Sequence, residues 1–388
     1  MFLFMRKSRY RLLVIVILVV LVFSSISVQA DDTEANQKLQ NVFYLIQNYY
    51  VEDMSYEELV DKAVSGVLRE LDNHSVYLDQ EEYEEMQLEF EGHFGGIGIE
   101  VGTRDGQLTI ISPIKGTPGD EADLRSEDVI LEVDGEPTSE MSQKEAVDMM
   151  RGEDGTEVEL TIYREGEEKP FDVTIVRDDI EIPVVDSEMK EENIGYVAIY
   201  YFNEETDKQV SEAVNNLEEE GAEALIVDIR GNGGGILEQA VNVSSLFLEE
   251  GKIVSVKGRA TEDSEYRVEE DMWTTSLPTA VLIDGGSASA SEIFAAAIKD
   301  HDRGTLIGEK TFGKGSVQNL VPLEDDSAVK MTTAHYYTPE GKNIHEKGIE
   351  PDIEVEFDMD TETDEQLERA LEFIKSSLDS GEESEPAA

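Results

Sequence analysis

The sequence predicts a multidomain chain of mixed α/β and α+β architecture: a helical N-terminal region, a β-rich block with few helices, then an α/β core. Three observations carry this. Residues 31–90 place apolar side chains at helical spacing, and residues 91–180 show short alternating strands punctuated by Gly and Pro. After Pro183, strands and helices alternate, and one strand, Ala224–Arg230, is so apolar that both of its faces must be covered. A length of 388 residues exceeds one ordinary core and suits two or three domains.

The helical region shows one stripe at Leu39, Val42, Phe43 and Ile46. A second, at Leu59, Ala63, Val64, Val67, Leu68 and Leu71, is opened by a Ser55-x-x-Glu58 capping box. Asp72–Leu78 reads as a turn. Two short helices with apolar faces must pack on the next domain or on a second copy, so a homodimer is one expectation.

In the β-rich block, Phe94-Gly95-Gly96-Ile97-Gly98 is a glycine loop running into the alternating residues Ile99-Glu100-Val101. Such a loop can turn several backbone N–H groups toward one carboxylate, although an ordinary hairpin would look the same. Strand-like Leu108–Ile111, a turn at Ser112-Pro113, the run Ala122–Gly135, a helix over Gln143–Met150, and strands Val158–Tyr163 and Phe171–Val176 follow. Together these resemble a protease-associated PDZ domain. The resemblance implies that Phe94, Gly95, Gly96, Ile97 and Gly98 bind a peptide carboxylate while the peptide adds as a strand beside Ile97–Val101. Asp123 and Glu127 stand where glycines are common, which makes those turns candidates for reshaping. Arg151, beside Gly152, reads as a surface charge at a helix end, with coupling of this block to the core as the alternative.

In the core, three strand ends open into glycine-containing loops, where active groups collect over a rigid sheet. One loop is Gly231-Asn232-Gly233-Gly234-Gly235, whose amides suit an oxyanion hole or a plain turn. Asp228 and Arg230 beside it read as supports. The second holds Ser287, Ser289 and Ser291 ahead of an Ala-rich helix. Ser289-Ala290-Ser291-Glu292 is also a capping box, so the residues alone leave all three serines open as nucleophile. The third places Lys314 between Gly313 and Gly315, where desolvation would make a neutral amine able to take a hydroxyl proton. Gly308-x-x-x-x-Gly313-Lys314 imitates a phosphate-binding loop, but Gly315 replaces its Ser/Thr and a strand-like segment with Pro322 follows, so nucleotide binding is discarded. Gln318 either aims the lysine or is a surface glutamine.

Residues 1–30 carry Arg6, Lys7, Arg9 and Arg11, an apolar run Leu12–Phe23, and a small-residue ending at Ala30. These are the parts of an export signal. A retained signal-anchor is the alternative, and either places the working domains outside the cytoplasm, with the membrane touched only through this segment. Residues 358–388 form an acidic C-terminal helix, about Glu365–Leu378, and a tail expected to be disordered.

Lys and Arg number 31 against 88 Asp and Glu, a net charge of −57. Nucleic acid is excluded as a partner by long-range repulsion. Acidity along the whole chain suits concentrated salt and predicts a halophilic source, an acidic envelope protein being the alternative. Without cysteine there is no disulfide, no thiol nucleophile and no Cys-ligated metal; no metal-ligand spacing or cofactor motif is found.

Asp228–Gly235, Gly286–Ile293, Thr311–Gln318 and Tyr337-Thr338-Pro339-Glu340-Gly341, in this order behind a PDZ-like block, resemble the carboxyl-terminal processing peptidases, also called tail-specific proteases. The resemblance runs from about Asp72 through Asp352. It implies a serine endopeptidase core over residues 181–357 that acts on proteins with a free C-terminus. It further implies Ser289 as nucleophile, Lys314 as general base and Gln318 orienting the lysine. The oxyanion donors would be the amides of Ala290 and Gly235, or Gly234 if the loop register differs. Gly233 departs from the pattern, since many relatives carry proline there. A non-catalytic peptide-binding protein with a vestigial cleft is the alternative.

Overall fold

The computed structural model describes residues 34–104, 106–167, 169–260, 263–269, 271–357 and 363–380. The expected export signal or signal-anchor and the tail beyond residue 380 lie outside them. None of the described helices is long and apolar enough to cross a membrane. The chain divides into two compact units, residues 1–77 with 329–331, and 78–328 with 332–388.

In the first unit, α1 (34–49) and α2 (Tyr56–Arg69) form as their stripes predict. The Ser55 hydroxyl accepts from the Glu58 amide (3.1 Å) and the Glu58 carboxylate takes the Ser55 amide (2.7 Å), completing the capping box. Phe43 is buried edge-on against Tyr56, ring centroids 5.5 Å apart. Leu39, Val42, Leu45, Val67 and Leu71 stay exposed. The turn expected over Asp72–Leu78 is shorter than predicted. Asp72 closes it by taking the amides of His74 (2.7 Å) and Ser75 (2.8 Å), and Val76–Leu78 extends as β1.

The second unit begins with α3 (Gln80–Glu91) and the β-rich block: β2 (His93–Gly96), β3 (Ile99–Arg104), β4 (Gln107–Pro113), α4 (Pro118–Glu121), β5 (Val129–Val133), β6 (Glu136–Pro137), α5 (Gln143–Met150), β7 (Glu157–Tyr163), β8 (Phe171–Val176) and β9 (Asp178–Glu181). The antiparallel order β3-β4-β5-β7-β8 encloses Ile97, Ile110, Ile130, Val133, Leu160 and Ile162, and β3 lies at its edge. The glycine loop is only half a loop, because Phe94–Gly96 belong to β2, paired antiparallel with β9. Asp123 (φ 57°) and Glu127 (φ 72°) keep left-handed backbones. Those turns are therefore strained, not reshaped, and Arg125 and Arg104 pair with the two side chains.

The core comprises β10 (Val185–Lys190), β11 (Ile194–Ile199), α6 (Thr206–Glu219), β12 (Ala224–Asp228), α7 (Leu237–Phe247), β13 (Lys252–Gly258), β14 (Ser264–Arg267), β15 (Thr279–Ile283), α8 (Ala290–Asp300), β16 (Gly304–Gly308), β17 (Ser316–Pro322), β18 (Ala328–Tyr337), β19 (Ile353–Glu354) and α9 (Glu365–Ser380). The main sheet has the order β10-β11-β12-β15-β16-β19, parallel except for β10. Leu225 and Val227 point to one face with Val214, Val243 and Phe294 of α6, α7 and α8. Ala224 and Ile226 point to the other with Ala370 and Ile374 of α9. Both faces are covered, as the all-apolar β12 required. β13, β14 and β18 pair antiparallel, with β17 beside β18. Because β12, β15 and β16 run parallel, their C-terminal ends deliver the three glycine-containing loops to one edge.

Candidate active site

The turn after β15 is tied to the loop after β12 by a carboxylate. Asp284 Oδ1 accepts from the amides of Gly231 (2.9 Å), Gly286 (2.9 Å) and Ser287 (3.0 Å). Buried Asn232 makes a second tie. Its Nδ2 donates to the Ile199 carbonyl (2.8 Å), its Oδ1 takes the Gly234 amide (2.9 Å), and its carbonyl takes the Ala288 amide (3.0 Å). The buried amides of Gly234, Ser287 and Ala288 must find acceptors, and Asn232 and Asp284 supply them.

The three serines separate physically. Ser287 is buried and donates its hydroxyl to the Ile229 carbonyl (2.8 Å); Ser291 is buried and donates to the Asn232 carbonyl (2.9 Å). Ser289 is partly exposed and sits at φ 55°, ψ −113°, a backbone that a side-chain-bearing residue rarely adopts. It opens α8 through the anticipated capping box, the Glu292 carboxylate taking the Ser289 amide (3.0 Å). Gly234 (φ +110°) lies so close that a Cβ there would fall 2.7 Å from the Ser289 Cβ and 2.8 Å from the Ala288 carbonyl.

Lys314 is half-buried in the loop after β16, and its amide donates to Glu292 Oε2 (2.8 Å), the oxygen that also holds the Ser289 amide. The fold thus brings Ser289 and Lys314 onto one carboxylate. The glycines flanking Lys314 are needed for close approach: a Cβ on Gly313 would meet the Gly348 amide at 2.9 Å, and one on Gly315 the His345 amide at 2.5 Å. The strand that argues against a phosphate-binding loop is present as β17. On it, Gln318 Nε2 donates to the hydroxyls of Ser316 (2.9 Å) and Thr332 (3.3 Å).

Arg230 and Asp228 support the loop, as read. Arg230 bonds Asp228 and reaches Asp364 (2.8 Å) and Gln366 (3.1 Å) at the start of α9, while Tyr196 donates to Asp228 (2.8 Å). Burial opposes the charge of Arg230, but Asp364 and Asp228 more than offset it and hold the guanidinium charged. Glu292, Asn232 and Asp284 are the loop-holding residues that reading by motif underrates. The only local signal for Glu292 is the capping box.

The PDZ-like residues lie apart from this cleft in sequence and are held differently. The Gly95 carbonyl accepts from the Gly152 amide (3.1 Å), the Ile97 carbonyl from Gly119 (2.7 Å), and the Gly98 carbonyl from Ile114 (2.9 Å). Gly98 is left-handed (φ +70°). Arg151 stands partly exposed at the end of α5, as a helix-end charge, with its guanidinium 5.2 Å from the Phe94 ring centroid and its Nε buried.

Comparison with known proteins gives three family-model matches: peptidase family S41 over residues 193–355, a PDZ domain over 95–175, and the activating protease CtpB N-terminal domain over 22–82. The carboxy-terminal-processing protease of Bartonella bacilliformis is 41% identical, covering 81% of this chain and 74% of that protein. The carboxy-terminal processing protease CtpA of Bacillus subtilis is 40% identical, covering 82% and 69%. Among solved structures, the photosystem II D1 C-terminal processing protease is 30% identical and covers 81% of this chain and 86% of its own, with a TM-score of 0.48.

Proposed function

Given that this chain belongs to peptidase family S41, the carboxy-terminal processing proteases, we propose that it is an exported serine endopeptidase with a Ser289–Lys314 dyad. One observation carries the reading. Of three clustered serines only Ser289 is partly exposed and strained, and its amide shares a carboxylate oxygen with that of Lys314.

A substrate protein's apolar C-terminus is held at Phe94–Gly98 and extends along the free edge of β3. Upstream, Ser289 Oγ bonds to the scissile carbonyl carbon as neutral Lys314 takes its proton. The resulting oxyanion is met by the amides of Gly235 and Ala290. Ala290 is the first residue of α8, so its N–H has no acceptor within the helix. The Gly234 amide already serves Asn232, which favours Gly235. The lysine returns the proton to the leaving amine, and water then hydrolyses the acyl-serine ester. Gln318 steadies the lysine from β17. Export rests on residues 1–30. The acidic surface suits concentrated salt, and the exposed apolar residues of α1 and α2 support a homodimer.

The test is cleavage of an unstructured peptide with an apolar C-terminal residue. Ser289→Ala and Lys314→Ala should each lower kcat by about 10⁴-fold or more while thermal unfolding stays unchanged. Either variant cleaving like wild type refutes the dyad. Wild-type protein that binds the peptide and leaves it whole would instead be a binding protein.

A further inference from the structure

Glu292 has no solvent exposure, and its carboxylate is saturated. Oε2 takes the amides of Ser289 (3.0 Å) and Lys314 (2.8 Å); Oε1 takes the Gly313 amide (2.8 Å) and the Thr311 hydroxyl (2.6 Å). Four donors fill the four lone-pair sites of one carboxylate. Tyr336, buried in β18, complements it. Its phenol lies against the carbonyl of Ser289 (3.0 Å) and the carbonyl of Lys314, and 3.5 Å from Glu292 Oε2. Burial, reinforced by the Glu292 charge, pushes the Tyr336 phenol well above the usual tyrosine range, so it remains a donor.

The amides of the proposed nucleophile and the proposed base therefore share Glu292, and their carbonyls share the single hydroxyl proton of Tyr336. Ser289 follows β15 and Lys314 follows β16, so no local turn fixes one against the other. We propose that Glu292 and Tyr336 are positioning residues that set the register between Ser289 and Lys314, a role that rests on the dyad reading above. A serine hydroxyl and a lysine amine react only when closely aligned, and a shift of about 1 Å in such a pair is enough to cost roughly a hundredfold in rate. Glu292→Gln would turn one oxygen into a donor facing two donors. Tyr336→Phe would remove the phenol and leave the carboxylate in place.

The test is steady-state cleavage of a fluorogenic peptide with a free, apolar C-terminal residue. Glu292→Gln should lower kcat about a hundredfold and Tyr336→Phe about tenfold, with KM held within about a factor of two. The double variant should fall by less than the product of the two, because both act on one register. Two folded single variants with kcat within about threefold of wild type would overturn the proposal. So would a loss carried by KM. Amide hydrogen exchange over residues 311–315 supplies a readout independent of cleavage. It should quicken about tenfold or more in Glu292→Gln, and unchanged exchange counts against the clasp. Ser289→Ala and Lys314→Ala in the same assay separate the two ideas: if they cleave like wild type the dyad fails, whereas the clasp is still judged by exchange.

Discussion

In the Gly231–Gly235 loop two amides are held by side chains, Asp284 on Gly231 and Asn232 on Gly234, beside backbone ties from Ala288 and Phe202. In the Phe94–Gly98 segment the ties are mostly to other backbone, through β9 and the amides of Gly152, Gly119 and Ile114, with the Thr117 hydroxyl also donating to the Gly98 carbonyl (2.9 Å). A Cβ on Gly234 would strike the Ser289 Cβ and two backbone atoms, whereas a Cβ on Gly98 would strike the Thr117 side chain, at 2.3 Å. Side-chain acceptors can fix a loop at atomic precision against a second loop, which bond-making chemistry requires. A loop that receives a peptide terminus needs its own shape and outward amides, and backbone pairing supplies that.

The largest expected contrast follows from those glycines. Gly234→Ala should reduce kcat by about 10³-fold, since Ser289, the proposed nucleophile, and its neighbours cannot retreat. Full activity in that variant would erase the distinction between the loops. Next, Arg230→Ala should destabilise the core by about 3 kcal/mol in denaturant unfolding, because it leaves Asp228 buried without its cation. The same clamp predicts acid sensitivity. Burial works to raise the Asp364 carboxyl, but Arg230 overrides it and holds the group below its ordinary value of 3.8. The unfolded chain then binds the proton more readily. The stabilisation is therefore present above about pH 4 and is lost as pH falls through the depressed folded value. Asp364→Asn should flatten that part of the stability–pH curve. Gly98→Ala should raise KM for peptides about tenfold with kcat at saturation unchanged, since the left-handed backbone is strained and the new Cβ would press on the Thr117 Cβ and hydroxyl within the same segment. A kcat effect there would mean that the two loops are coupled. The smallest change is Gly233→Ala. Gly233 has no left-handed backbone and open space at its Cβ, so the variant should gain about 0.5 kcal/mol with activity retained.

Much of this was legible before any coordinates. α5 spans the predicted Gln143–Met150 and β8 the predicted Phe171–Val176, because capping boxes and alternating patterns act over a few residues. β2 was misread as loop because Gly95 and Gly96 carry no strand signal; pairing with β9, far along the chain, makes the strand. β13 and β14 are not predicted either: they pair with each other, and β13 gains its second partner from β18, far along the chain. Asp123 and Glu127 both adopt left-handed backbones where glycines are common, which Asp tolerates fairly well and Glu less so.

At the cleft, the chain by itself determined that a serine cluster and a glycine-flanked lysine end successive strands of an α/β core, since strand ends and turn glycines are written locally. Composition likewise determined the charge and the absence of thiol chemistry. Tertiary structure alone decided that Ser287 and Ser291 are buried and spent on loop carbonyls while Ser289 stays partly exposed. It also turned Glu292 from a helix cap into the acceptor shared by Ser289 and Lys314. The physical reason is that buried donors and acceptors must pair, and which partner each finds depends on where distant strands bring their ends.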